Sequence, residues 1–473
     1  MLFNTFEFLV FLPIVFIIYW QVCGKMVGGR SWQNLFIVAA SYLFYGWWDW
    51  RFLILIAITS TASFISGLLI ERLSEAGKTI VCINLILNLG ILIVFKYFNF
   101  FISSFTSLVR TFGIELDDVT LHLILPVGIS FYTFQALSYS IDVYRQKLRP
   151  THDVLAFFAF ISFFPQLVAG PIERATNLLP QFLQNRTFNY GQSVDGMHQI
   201  LWGLFKKIVV ADNCAVIVNQ IFDDYASFST INLWMGAVLF AFQIYGDFSG
   251  YSDIAIGCAK LFGVTLMRNF NYPYFSRNIP DFWRRWHISL TTWFRDYIYI
   301  PLGGSRCKKH RIARNTFIVF LTSGLWHGAN WTFIAWGGYH ALLFMPFIIF
   351  PQIRKSDKPS NRVSWAISIL LTFILVVIGW VIFRSVSITN AIDYIRLMFS
   401  DFTFSSHILG GYCLIWIGLM ILVEWLNRNQ QHPFEFTGVL LRYRGLRWAL
   451  YISTFMLCIL SNAEQSDFIY FQF

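Results

Sequence analysis

The stretch DFWRRWHISLTTWFRDYIYIPLGGSRCKKHRIARNTFIVFLTSGLWHGANW, residues 281–331, decides how the rest of this chain is read. It holds two histidines in aromatic settings, His287 in RRWHISL and His327 in LWHGANW. Between them lie adjacent Arg295 and Asp296, expected to be a buried pair, then a turn at Gly303–Gly304 and a basic run from Arg306 to Arg314. From Thr316 the stretch becomes continuously apolar. Two ionisable rings inside such a sequence raise one question: whether they are the reactive centre and the surrounding helices are their housing.

The surroundings are membrane-like. Of 473 residues, 56% are hydrophobic and 13% charged, with 52 Phe and 18 Trp; the mean hydropathy is +0.57. A soluble domain carries about 25% charged residues. Apolar segments recur evenly from Leu9 to Leu460, which predicts one membrane domain, residues 1–473, without a soluble lobe. The net charge is +10, but the basic residues sit in short loops between apolar runs, where the positive-inside bias explains them better than nucleic acid does. The seven cysteines form no C-x-x-C pair, and most lie inside apolar runs. That pattern argues against both a zinc site and a disulfide framework. The first twenty residues lack a basic n-region and a small-x-small cleavage site, so an uncleaved first span is expected.

A helix needs about 20 apolar residues to cross the hydrocarbon. Candidate spans fall near 8–22, 34–48, 52–70, 79–96, 122–142, 153–169, 232–246, 316–350 (long enough for two), 364–383, 407–426 and 446–463. Segments 97–110, 196–222, 252–264 and 286–301 are shorter or carry charge and read as interfacial or re-entrant. The expectation is an all-α polytopic membrane protein with roughly 11 crossings. Basic loops after the first and third spans, at Arg145–Arg149, Arg306–Arg314, Arg354–Arg362 and Arg442–Arg447 are expected on the cytoplasmic side, which puts both termini outside. Proline and glycine interrupt the central third, at Pro126, Pro165, Gly170–Pro171, Pro273, Pro280 and Pro301–Gly304. Irregular backbone at membrane depth is tolerated only where protein covers it or it lines a cavity. A catalytic core over about 125–345 follows. No internal repeat is visible, which weighs against a transporter or flippase built on inverted repeats.

His327 follows Arg314 by thirteen residues. If the intervening chain is helical, the histidine lies about 20 Å from the cytoplasmic edge. An ionisable side chain at that depth is functional by default. Burial favours the neutral imidazole, the form that serves as a general base. Gly328 and Ala329 leave room beside it, Trp326 flanks it, and Asn330 is placed to orient the ring or donate to a substrate. His287 follows Arg284 and Arg285 and suits either an interfacial cluster or a second member of the site. Neither histidine has the i,i+4 partner or the cysteines that a metal site needs. Arg295 with Asp296 suits an ion pair or a substrate contact. Asp247 and Asp253, in YGDFSGYSDIAIG, suit a polar cavity, and Asp253 equally suits a role holding Arg284 or Arg285.

Five segments carry a resemblance to a known family: FYTFQALSYSIDVYR at 131–145, FFPQLVAGPIER at 163–174, FSGYSDIAIG at 248–257, DFWRRWHISLTTWFRDYIYIPLGG at 281–304 and GLWHGANWTFIAWG at 324–337. They resemble the membrane-bound O-acyltransferase family, in particular its bacterial branch of alginate and peptidoglycan O-acetyltransferases, related to the D-alanyl transferase of teichoic acid. The similarity runs almost from end to end. It implies a ring of membrane helices around a central funnel, in the bacterial inner membrane. The family's invariant histidine matches His327, and its second, partly conserved one matches His287. Donors in this branch are thioesters from the cytoplasm, acetyl-CoA or an acylated carrier protein, used as substrates with no cofactor. A C-terminal F-x-Y-F segment in related systems carries a tyrosine proposed to relay the acyl group. Here Phe468, Tyr470 and Phe471 match it, in an extracytoplasmic tail over 464–473.

The resemblance therefore implies an O-acetyltransferase with His327, His287 and Tyr470 as catalytic residues. Asn330, Trp326, Arg295, Asp296 and Asp253 are its candidate substrate-binding residues. An extracytoplasmic SGNH-hydrolase-like acetyltransferase is the expected partner, passing acetyl to an exported polysaccharide. The rival expectations are a transporter, which predicts flux without acyl cleavage, and a non-catalytic scaffold of an exopolysaccharide machine, which predicts that both histidines are replaceable.

Overall fold

The computed structural model describes residues 1–114, 120–121, 123–168, 170–350, 352, 361–400, 408–435, 443–461, 466 and 468–469. Every regular element among them is helical. The chain clusters into two compact units, one of Met1–Met197 with Ala255–Met267 and the other of His198–Ile254 with Arg268–Phe473.

In the first unit, α1 (Phe6–Ile17) starts at Thr5, whose hydroxyl accepts the Phe8 N–H at 3.4 Å. After α2 (Gly29–Gly46), the aromatic loop exposes Trp47, Trp48 and Trp50, as an interfacial belt requires. Within that loop, hydrogen bonds from the Arg51 side chain hold the Asp49 carboxyl below its usual range. Next come α3 (Leu53–Arg72) and α4 (Gly77–Leu92). A π-helical turn, Ile93–Tyr97, then carries α4 straight into α5 (Phe98–Arg110). The segments expected as a span and a separate short piece are thus one continuous helical run, Ser74–Arg110.

α6 (Ile129–Tyr144) is buried along almost its whole length. Polar side chains join it to its neighbours: Asn84 Nδ2 donates to Ser140 Oγ at 2.8 Å, and the Ser66 hydroxyl reaches the same oxygen at 3.2 Å. Between membrane helices such bonds contribute about 0.6 kcal/mol each. In FFPQLVAGPIER, α7 (Val154–Ser162) stops at Phe163, and a single turn, α8 (Phe164–Leu167), follows with Pro165 in its first turn, where a missing N–H costs nothing. Glu173 of that motif is fully buried, and accepts from Asn177 Nδ2 at 2.7 Å and from the Met267 N–H. The carboxylate thereby joins α9 (Ala175–Leu183) to the strand-like segment after residue 264.

α10 (Tyr190–Leu204) continues through a π-helical turn, Phe205–Ala211, into α11 (Asp212–Asp223). α12 runs unbroken from Thr230 to Leu261. The sequence suggested a span near 232–246 and a separate piece at 252–264, because Gly246, Gly250 and Gly257 looked like interruptions. They are packing glycines. A Cβ on Gly250 would lie 2.8 Å from Gly203 O, and one on Gly246 2.9 Å from Lys206 O. Their absence lets the π-helical turn approach α12 backbone to backbone.

The second unit continues with α13 (Ile279–Arg285), capped by Asn278 Oδ1 accepting the Asp281 N–H at 2.8 Å, and α14 (Ile288–Phe294). α15 (Lys309–His327) and α16 (Trp331–Ile349) form a hairpin that splits the apolar run 316–350 in two. Its seam is made of glycine. A Cβ on Gly324 would overlap Phe333 O, and one on Gly337 would overlap Phe320 O. α17 (Arg362–Arg384), α18 (Ile388–Phe399), α19 (Cys413–Leu426) and α20 (Arg444–Leu460) complete the described helices. Among the described residues, five helical runs are both long and apolar enough to cross a membrane: Phe6–Lys25, Trp50–Arg72, Ser74–Arg110, Trp331–Ile349 and Arg362–Arg384. Cys413–Leu426 is a shorter apolar helix.

Candidate active site

His327 is the last residue of α15 and is buried, at 4% exposure. The helix is continuous from Lys309, so the rise of about 1.5 Å per residue applies throughout and separates Arg314 from His327 by about 20 Å. Three aromatic rings enclose the imidazole: Trp326 at 5.0 Å, Trp336 at 5.2 Å and Phe383 at 5.3 Å between centroids. The neighbouring Gly328 does not leave the space the sequence suggested. A Cβ there would run into the Phe333 ring, so the room beside His327 is filled by Phe333. Asn330 is a helix cap. Its Oδ1 accepts the Thr332 N–H at 3.1 Å, and its Nδ2 donates to Val386 O at 3.0 Å.

His287 sits between α13 and α14 in the left-handed region, at φ 43°, ψ 55°. A non-glycine residue there carries about 1–2 kcal/mol of strain, and the contacts around it must hold it. Its Nδ1 faces Asn269 Oδ1 at 3.1 Å. That same Asn269 atom accepts the Ser289 backbone N–H at 3.3 Å and the Ser289 hydroxyl at 2.9 Å. A backbone N–H can only donate, so the shared atom is an oxygen, and the His287 nitrogen facing it carries the proton. In the neutral ring Nε2 is then the acceptor nitrogen. Donation from Nε2 to an oxyanion would require a second proton on the ring. Asn269 is fixed in turn by its Nδ2 donating to Ser252 Oγ at 3.1 Å.

Trp326 brings the two histidines into one aromatic cluster, its ring 5.8 Å from His287 and 5.0 Å from His327. Phe248 of α12 packs edge-on against His287 at 4.6 Å. Trp336 is shared with a third buried histidine, His340, at 5.1 Å, which the sequence reading did not single out.

The remaining candidates lie elsewhere. Arg295 Nε contacts Asp296 Oδ1 at 2.7 Å, as the adjacent charges suggested, but the Arg295 side chain is 55% exposed rather than buried. The π-helical turn Arg295–Tyr299 shifts the helical register there, so periodicity misplaced the arginine. Asp253 does not hold Arg284 or Arg285. Arg285 pairs with Asp281, one turn away on its own helix. Asp253 instead accepts from Lys206 Nζ at 2.5 Å and from Gln199 Nε2 at 2.8 Å.

Lys206 and Lys207 are the residues sequence reasoning missed. Both are buried, in consecutive positions of the π-helical turn. Lys206 faces Asp253 and Ser249, while Lys207 faces Asp212 at 2.8 Å and Asp247 at 2.9 Å. The signal was present as two lysines inside the apolar stretch LFKKIVV, since charges at membrane depth pair with one another. Tyr470 lies outside the described residues, but Phe468 and Ile469 before it are described and buried.

A profile of the MBOAT, membrane-bound O-acyltransferase family, matches residues 95–389. The chain belongs to the membrane-bound O-acyltransferase family. The matched region contains both histidines, Asn269 and the two lysines. Among its relatives is "Probable alginate O-acetylase AlgI" of Pseudomonas aeruginosa, 40% identical over 400 residues that cover 84% of this chain and 74% of the relative. Another is the peptidoglycan O-acetyltransferase of Helicobacter pylori, 37% identical over 84% of this chain and 80% of the relative. The teichoic acid D-alanyltransferase of Bacillus subtilis is 30% identical over 55% of this chain and 69% of the relative. This membrane-bound O-acyltransferase is therefore a multi-pass membrane enzyme that moves acyl groups onto hydroxyls.

Proposed function

We propose that the chain is an O-acetyltransferase of the bacterial cytoplasmic membrane. It takes acetyl from a cytoplasmic thioester, acetyl-CoA or an acylated carrier protein, and passes it towards an exported polysaccharide of the alginate or peptidoglycan kind. The relatives of widest coverage are named for that chemistry. The observation that carries the reading is α15 itself, with the basic residues Lys309, Arg311 and Arg314 at its start and His327 at its end, against Trp326 and within one ring of His287.

In this reading His327 is the general base. It takes the proton of an attacking hydroxyl as the new C–O bond forms at the thioester carbonyl. Collapse of the tetrahedral intermediate breaks the C–S bond, and the thiolate leaves with the proton that His327 holds. Such a base contributes about 10²–10⁴-fold. His287, with its Nδ1 proton directed at Asn269, offers an acceptor nitrogen that aligns the hydroxyl. Trp326 forms a wall of the acetyl site. Tyr470 is the hydroxyl that first receives acetyl and hands it on, and a separate SGNH-hydrolase-like acetyltransferase completes transfer outside. No cofactor beyond the thioester substrate is required.

Purified protein in lipid vesicles, given acetyl-CoA, tests the reading. The wild type is expected to release CoA and form an O-acetyl ester, and His327→Ala to lose both while remaining folded and inserted. Wild-type rates in His327→Ala would end the assignment.

A further inference from the structure

The last described residues are held by charged groups that the acyl-transfer chemistry does not need. Lys207 Nζ donates to Ser466 O at 2.8 Å and lies 3.2 Å from Ser466 Oγ. The Ser466 hydroxyl donates to Asp212 Oδ1 at 2.5 Å, and the Ile469 N–H donates to Asp247 Oδ2 at 2.6 Å. Lys207 also bridges the two carboxylates, so one lysine and two aspartates form a single buried set. Each of the three gives one of its hydrogen bonds to the tail. Lys207, Asp212 and Asp247 are all less than 5% exposed.

We propose that Lys207, Asp212 and Asp247 form a clasp that grips the segment Ser466–Ile469 and positions the residues beyond it for acyl transfer. The clasp reads mainly backbone: one carbonyl, one N–H and one short hydroxyl. Side-chain selectivity comes from Phe468, which is fully buried against Tyr251 at 4.5 Å and Phe248 at 5.9 Å between ring centroids. Phe248 is the ring that packs edge-on against His287. The gripped phenylalanine is therefore separated from that histidine by a single ring.

Local structure explains how one lysine serves this set and its neighbour another. In a regular α-helix, consecutive side chains diverge by about 100°, and a wider π-helical turn alters that spacing. In Phe205–Ala211 it directs Lys206 to Asp253 and Lys207 to Asp247, six residues apart on α12. The close approach at Gly203, Gly246 and Gly250 brings both lysines within reach. A buried charge is tolerated only when paired and hydrogen-bonded. Removing the tail would take a bond from all three members at once, so docking of the tail and integrity of the clasp are coupled.

The geometry of the clasp stands independently of the reaction, whereas its purpose rests on the acetyl-transfer reading above. The experiment separates the two, using full-length protein in lipid nanodiscs. Hydrogen–deuterium exchange is followed in peptides covering 461–473 and in α15–α16. Acetylation of 461–473 after addition of acetyl-CoA is followed by mass spectrometry. Ile469→Pro removes the N–H that Asp247 accepts without touching the clasp, and Asp247→Asn weakens the clasp without touching the tail. Both are expected to speed exchange of the tail about 10-fold or more, leave α15–α16 unchanged, and reduce tail acetylation at least as much. Tail exchange at the wild-type rate in both variants would overturn the clasp. A released tail that is acetylated normally would overturn its positioning role. A wild-type tail that takes no acetyl, with the exchange results as expected, would count against the relay reading alone and leave the clasp as the tail's anchor.

Discussion

Asn269 Oδ1 faces His287 Nδ1 at 3.1 Å, and the Ser289 N–H directed at the same atom fixes it as oxygen. The residue that orients the second histidine is thus neither charged nor aromatic, and it lies 18 positions away in sequence.

Asn269→Ala removes that acceptor and leaves the buried Nδ1–H and Ser289 N–H without it. Loss of one buried partner costs about 1–3 kcal/mol. Transfer is expected to fall about 10- to 100-fold, with insertion intact. Steady-state CoA release, alongside melting in detergent, checks this. Undiminished turnover would mean that His287 orientation is immaterial.

Gly328→Ala places a methyl group where the Phe333 ring sits. Overpacking of this kind costs about 1–3 kcal/mol, so the thermal midpoint should drop. Adding Phe333→Leu should restore most of the loss. A double variant no more stable than Gly328→Ala would show that the collision with Phe333 is not the cause.

Tyr470→Phe retains the ring and deletes the hydroxyl. O-acetylation of the outer acceptor is expected to cease, while acetyl-CoA binding is kept. Normal acetylation of cell-surface glycan in a strain carrying this variant would remove Tyr470 from the pathway.

Reversing Lys308, Lys309 and Arg311 to glutamate is expected to raise the KM for acetyl-CoA and to invert its dependence on salt, because an anionic donor would meet a repulsive field. Equal KM values across ionic strength would show that the donor docks elsewhere.

The helical skeleton was legible in the sequence because apolar length is the dominant signal in a membrane chain. The hairpin within 316–350 was anticipated from length alone. What periodicity misjudged lies at π-helical turns and packing glycines. Ile93–Tyr97 fused two expected pieces, and Arg295–Tyr299 turned an expected buried arginine outward. Gly246 and Gly250 looked like breaks but are close approaches. The histidines stood out because imidazoles are rare among apolar residues. Asn269 did not, since one amide in MRNFNYP has nothing in its local pattern to distinguish it. The partners of Lys206 and Lys207 were equally hidden, because they are joined through folded space to α12 rather than along the helix.

The glycine seam between α15 and α16 has a consequence for motion during turnover. With Gly324 against Phe333 O and Gly337 against Phe320 O, no side chain cushions the two backbones, so a slide of one helix past the other by a turn would drive bulky residues into main-chain atoms. His327, at the tip of that hairpin, is a stationary post. The travelling parts of the reaction are the donor's pantetheine arm and the incoming hydroxyl, and a gate, wherever it operates, must be built from other elements than the pair of helices that carries the base.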